Sequence, residues 1–224
     1  MKTYPTLRIG IASQDSKHIR LAPHDLSHRC LDILTAISRG GRTARCVALS
    51  TLAEGPSRPF AEAALLARYR LDVILPGPSE DYEKTFTDKA AILQTYRPLL
   101  ARAASVTALA DEMSAPRAAA SAADLEIARL SDILVVVWNG EGETGDGGLA
   151  DTISAALTAG TPIVWIDAEG RRPRRVLMPP GGEAAPFSLA RYRSRAIHIT
   201  PRRLTTMSAQ TLTANAGTEA AAET

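Results

Sequence analysis

The sequence predicts an α/β fold: a doubly wound, Rossmann-like, mostly parallel sheet of about six to seven strands with helices on both faces. Three observations carry this reading. Short β-branched apolar runs alternate with longer segments of helical period, which is the pattern of βαβ units. Most of these runs lack strict polar alternation, as expected of strands covered on both sides. A chain of 224 residues with 45% hydrophobic side chains also suffices for one such domain and its core.

Taken in order, the strands read LRIGIAS (7–13), RCVALS (45–50), LDVILP (71–76), SVTAL (105–109), DILVVVW (132–138) and TPIVWID (161–167). Helical spacing places helices over about 25–38, 59–70, 81–103, 117–131 and 149–160. After Gly170 the rhythm fails. RRPRRVLMPPGGEAAPF is dense in Pro and Gly and reads as a loop, and RAIHIT (195–200) supplies one last strand. From Ser208 onward large apolar residues are scarce, so little offsets the entropy of ordering, and disorder is expected. The organisation predicted is a Rossmann-like domain over 1–170, a basic Pro/Gly-rich segment of the same domain over 171–207, and a disordered tail over 208–224.

Composition narrows the function classes. No run approaches the roughly 20 apolar residues of a membrane helix, and the N-terminus lacks a secretory pattern, so the expected location is cytoplasmic. Cys30 and Cys46 stand outside any metal-finger or redox spacing and read as reduced core thiols. The histidine pair His24 and His28 has ligand spacing but no third ligand nearby, so no metal site is predicted. The net charge of +2 is uneven: nine arginines against Glu183 between Arg171 and Arg203 give that segment +8, leaving −6 for the rest. G-x-G-x-x-G is absent after the first strand and G-x-x-x-x-G-K-[ST] is absent throughout, which argues against a standard dinucleotide dehydrogenase and a P-loop NTPase.

In open α/β sheets ligands bind beyond the carboxyl ends of the strands. The loops there hold the candidate residues, beginning with Ser13 after the first strand and Pro76 after the third. In LAEGPSRPF, Gly55 permits a tight turn, Ser57 reads as an N-cap, and Arg58 stands beside a helix N-terminus suited to an anion. In WNGEGETGDGGLAD, Gly147 and Gly148 lead into a helix and form a second cradle of the same kind. Of the carboxylates there, Glu141, Glu143 and Asp146 read as solvated, whereas Asp151 is placed to meet a sugar hydroxyl or to complement the helix dipole.

These two segments, at this separation and with LDVILPGPSEDY between them, resemble the SLOG superfamily, which includes the Smf/DprA proteins and the LOG phosphoribohydrolases. The resemblance covers residues 7 to 167. It implies a Rossmann-like fold and nucleotide or NAD-related ligands, with Glu54, Gly55 and Arg58 matching one motif and Asn139, Gly140, Gly147, Gly148 and Asp151 the other. The chain departs from the pattern at five places. GIASQD replaces a GHR-like element, Leu149 replaces a usual threonine, and Ala120 and Asp124 stand where tyrosine and glycine are expected. Asp151 is one position early and one methylene short of the LOG glutamate.

The function expected is therefore binding or sensing of a nucleotide-derived ligand such as AMP, ADP-ribose or NAD. The resemblance implies, as an alternative, an N-glycosidic enzyme of the phosphoribohydrolase or deoxyribosyltransferase kind, with Asp151 or Glu54 as catalytic candidates. Nucleic-acid binding through the 171–203 arginines is a third reading, ranked below an exposed basic surface because aromatics and a base-reading fold are missing. No cofactor is predicted, and no residue pattern supports a Mg ion. The related enzymes imply a homodimer.

Overall fold

The structure, a computed structural model, describes residues 4–41, 44–110, 115–141, 148–178 and 197–222. Eight strands form one sheet in the order β4-β3-β2-β1-β5-β6-β7-β8. They are β1 (Thr6–Ser13), β2 (Arg45–Ser50), β3 (Arg70–Leu75), β4 (Ser105–Ala108), β5 (Ile133–Trp138), β6 (Ile163–Asp167), β7 (Arg175–Leu177) and β8 (Ile197–His198). The first six are parallel, and β7 and β8 add antiparallel pairings at one edge. The extra strand is β7, hidden in the sequence by its three residues among arginines and prolines.

The helices are α1 (Pro23–Gly40), α2 (Ser57–Leu66), α3 (Ser79–Lys84), α4 (Lys89–Ala101), α5 (Pro116–Leu130), α6 (Leu149–Thr158) and α7 (Pro201–Ala222). Two cores show that they cover both faces. Leu7, Ile9 and Ile11 of β1 join one core with α1, α2, α4 and α7, while Ala12 joins α5 and α6 on the other. Within the first core Cys30 is fully buried, and burial pushes its thiol up to about 12. Cys46 is half-buried and also raised, by burial first.

The single helix expected over 81–103 is two helices. Phe86 turns inward between Tyr82 and Tyr96, 5.1 Å from each ring centroid, and Asp88 restarts the chain by accepting the Ala91 N–H at 3.4 Å. Similarly α2 stops early because Arg68 takes a left-handed conformation (φ 64°) and Tyr69 N–H returns to the Ala64 carbonyl at 2.9 Å.

The expected disorder from Ser208 is corrected: the chain there belongs to α7. Large apolar side chains are few, but Leu204, Met207 and Leu212 are buried. Small residues do the rest. Thr205 and Ser208 hydroxyls donate to the α1 carbonyls of Ala36 and Ile37 at 2.9 and 3.0 Å. A Cβ on Gly40 would sit 2.0 Å from the Thr205 carbonyl oxygen, so glycine is what allows the two helices to meet.

Candidate functional site

The chain steps outward from β1 through β2 and β3 to β4, then returns to β5 on the other side of β1. Connections leaving β1 and β5 diverge at this reversal and open a crevice beyond the strand ends. A cleft of about 910 Å³ lies there. Ser13 ends β1 at its floor, Trp138 ends β5, and Asn139, Gly148 and Leu149 continue the same wall.

Side-chain staples fix the surrounding loops. Gln14 bridges the two central strands, its Oε1 accepting the Asn139 N–H at 2.9 Å and its Nε2 donating to the His18 carbonyl at 2.7 Å. Asp15 caps a 3-10 turn over Ser16–His18 by accepting the Lys17 N–H at 3.1 Å, and it pairs with Lys17 Nζ at 2.9 Å. Asn139 Oδ1 accepts the Glu141 N–H at 2.9 Å, and the Trp138 indole N–H donates to the Glu141 carbonyl. Beyond β6, the buried Asp167 accepts the Arg172 N–H at 2.8 Å, and the Ala168 carbonyl accepts both Arg20 and Leu21 N–H groups at 2.8 Å. That brings Arg20 and Glu169 to the rim.

The remaining wall is α5. Arg117, Ala120, Ser121 and Asp124 recur at i, i+3, i+4 and i+7, one stripe of a helix, and all face the cleft. Ala123, Ile127 and Ala128 occupy the buried face. Burial pushes the Asp124 carboxyl up to about 7 from 3.8. Lys17 is matched by Asp15 and Glu169 by Arg171, at 3.1 Å. Among the described residues, the side chains of Asp124, Arg20 and Arg117 make no hydrogen bond or ion pair, nor do those of His18 and Glu141, so the cleft presents both cationic and acidic groups ready for a ligand.

At the start of α6, Gly148 is the N-cap and supplies no side-chain cap bond. A helix leaves its first amides without intrahelical partners, and Leu149 and Ala150 line the cleft at that point. A Cβ built on Gly148 meets nothing within 4 Å.

Of the residues expected to bind a ligand, Ser13, Asn139, Gly148 and Leu149 line the cleft. Gly147 lies outside the described residues, as do Glu143 and Asp146. Asp151 is half-buried on α6 and Gly140 takes φ 91° where the chain leaves β5; neither is in the wall.

The α2 group lies elsewhere. Arg58 is buried, and its guanidinium donates to the carbonyls of Ala53 and Ile92 and to Thr95 Oγ1 at 3.2, 3.4 and 3.0 Å, with the Phe86 ring 5.7 Å away. Burial lowers its pKa, partly opposed by Glu54. Glu54 accepts the Thr87 N–H and hydroxyl, both at 2.7 Å. Ser57 is the first helical residue, after an N-cap at Pro56, and its carbonyl accepts the Ser50 hydroxyl at 3.1 Å. Pro76 is buried past the end of β3. Gly55 touches the site indirectly: at φ 89° its Cβ position is 3.2 Å from Ser16 Cβ, so this loop buttresses the turn that carries Lys17 and His18.

Sequence reasoning missed Gln14, Arg20 and Arg117 and passed over Asp124 as a departure from a pattern. The α5 stripe was its available signal: three polar residues at helical spacing on an otherwise alanine-rich helix. For His24 and His28, the Nε2 atoms approach to 3.1 Å, and no group of three or more potential ligands occurs among the described residues. No described helix is long and apolar enough to cross a membrane.

No protein-family model matches the chain, and no curated protein matches its sequence. Among solved structures it is similar to DNA processing protein A (DprA) from Streptococcus pneumoniae, with a TM-score of 0.51 at 13% identity. The match covers 90% of this chain and 61% of that one, so the chain spans under two thirds of the neighbour's length. The likeness is one of fold, and it agrees with the Smf/DprA-type Rossmann-like architecture that the sequence resembles.

Proposed function

We propose that the cleft at the β1/β5 reversal binds a nucleotide-derived small molecule. The observation that carries the reading is one mixed concavity: the amides opening α6 and the unpaired Arg20 and Arg117 for a phosphate, with the unpaired Asp124 for a sugar or base. A simple anion would not require the carboxyl, and about 910 Å³ accommodates a ligand larger than a phosphate. Loss of charge on Asp124 near neutral pH also limits its repulsion of a bound phosphate.

Calorimetric titration with AMP, ADP-ribose and NAD tests this, with a single-stranded oligonucleotide alongside because the fold neighbour is named for DNA processing. Affinity of about millimolar or better is expected for at least one of the three small ligands; none binding at that level sinks the reading. Gly148→Asp is the diagnostic variant. Its side chain enters open space and an aspartate caps a helix at least as well as glycine, so the thermal midpoint should hold or rise slightly. The same carboxylate would occupy the anion position, and binding should be lost.

One observation favours a second reading, an N-glycosidic enzyme. A carboxyl poised near neutrality can protonate a leaving base or accept a proton from water. Asp124 would then act in place of Asp151, which is off the wall, and Glu54, which is committed to Thr87. Chromatography of a nucleotide panel would detect released base; release that survives in Asp124→Asn removes this assignment.

A further inference from the structure

A second concavity, of about 400 Å³, lies beyond the loop that follows β6. Four arginines line it, Arg29 of α1 and Arg171, Arg172 and Arg174 of the β6–β7 loop, together with His198 and with Thr200 at the entrance to α7. Arg29 fixes the loop by donating to the Arg172 and Gly170 carbonyls, each at 3.2 Å. Arg174 is the anomaly. Only 20% of its side chain is exposed, its Nη1 is buried with no hydrogen-bond partner, and its nearest carboxylate, Asp32, is 3.6 Å away and 64% exposed.

Orphaned buried donors are rare, and a guanidinium cannot relieve the cost by losing its proton. Among the described residues, the carboxylates paired with this cluster are Asp32 and Glu169, so four arginines face two acids there. We infer that this pocket is a second, separate site that takes a phosphate group, as a monoester or a diester. Arginine's planar fork matches phosphate oxygens in pairs, and the start of α7 adds the positive end of a 22-residue helix. The phosphoryl group can belong to a free phosphorylated metabolite or to a polynucleotide backbone; the chemistry recognised is the same.

The test is a titration of the full chain with inorganic phosphate, followed by NMR of backbone amides and arginine Nε–H groups. Saturable shifts at Gly170, Arg172 and Thr200 are expected, with a dissociation constant of about millimolar. They should weaken roughly tenfold in Arg174→Gln and persist in Arg117→Ala, which alters the first cleft alone. Arg174→Lys, which keeps charge but not the fork, should fall between, and thermal midpoints confirm that each variant is folded. Shifts absent from the wild type, or undiminished in folded Arg174→Gln, would overturn the inference. Oligonucleotides of increasing length separate the two sources. Affinity rising with length assigns the phosphate to a polynucleotide, and affinity equal to that for AMP assigns it to a metabolite.

Discussion

Arg58 and Asp124 show how far a residue's chemistry depends on what surrounds it. An arginine beside a helix N-terminus reads as an anion ligand, yet Arg58 is consumed by two carbonyls and a threonine hydroxyl that join α2 to α4. Asp124 reads in the sequence only as a departure where glycine is expected, yet it is set into the cleft wall without a hydrogen-bond or ion-pair partner. Burial has raised it from 3.8 to about 7, and the sign of the consequence follows. Between about pH 4 and 7 the folded state keeps a proton that the unfolded chain has lost, so stability falls as pH rises through that window and stays lower above it. The full shift corresponds to at most about 4 kcal/mol. Asp124→Asn should therefore be more stable than the wild type at pH 8 and indistinguishable from it near pH 4, as read by urea denaturation at both. An asparagine variant no more stable at pH 8 would show that the native carboxylate has a stabilising partner in solution.

Among the elements, strands were the most legible because an all-apolar run of five to seven residues has few other uses. β5, with every residue from Ile133 to Trp138 buried, is the clearest case. Less legible were breaks that depend on distant partners. The α3–α4 gap exists because Phe86 finds two tyrosine rings and Thr87 finds Glu54, and neither partner is visible in local spacing. α7 was missed for a related reason: its docking runs through hydroxyls and Gly40 on α1, about 170 residues away in the chain. The site was half legible. Loops at strand ends were found from topology, whereas α5 was read as a helix whose Ala120 and Asp124 depart from a pattern, not as a wall of the site. The placement of α5 depends on Gly10 of β1, where a Cβ would lie 2.1 Å from Ser131 Oγ and 2.6 Å from Ile127 Cγ2. Ser131 Oγ is held by the Ile127 carbonyl at 2.6 Å and Ile127 is fully buried, so neither yields readily. Gly10→Ala should cost about 1–3 kcal/mol by overpacking. It should also weaken ligand binding, because α5 carries Arg117 and Asp124 away from the strand end; loss of stability with unchanged affinity would show that the cleft tolerates the shift.

At the scale of the whole molecule, the notable quantity is where charge sits relative to the sheet. Segment 171–203 carries +8 while the remainder carries −6, and the described part of that segment gathers at the carboxyl edge. The loop after β6 places Glu169 in the first cleft and Gly170 to Arg174 in the second pocket, so the arginines flank the entrance without forming its wall. For a ligand in the first cleft, charges so placed should act on approach more than on residence. A diffusing anion feels their summed field, whereas on the proposed reading a bound one would be held by α6, Arg20 and Arg117 within the cleft. Exposed Arg171 and Arg172 are the residues to reverse. In the double variant Arg171→Glu/Arg172→Glu, stopped-flow binding of ADP-ribose should show an association rate about three- to tenfold lower at low salt. The dissociation rate should be unchanged. The deficit should shrink as ionic strength approaches about 0.5 M, where screening confines charges to a few ångströms. A change carried by the dissociation rate would instead place these arginines in contact with the ligand and merge the two pockets into one extended site.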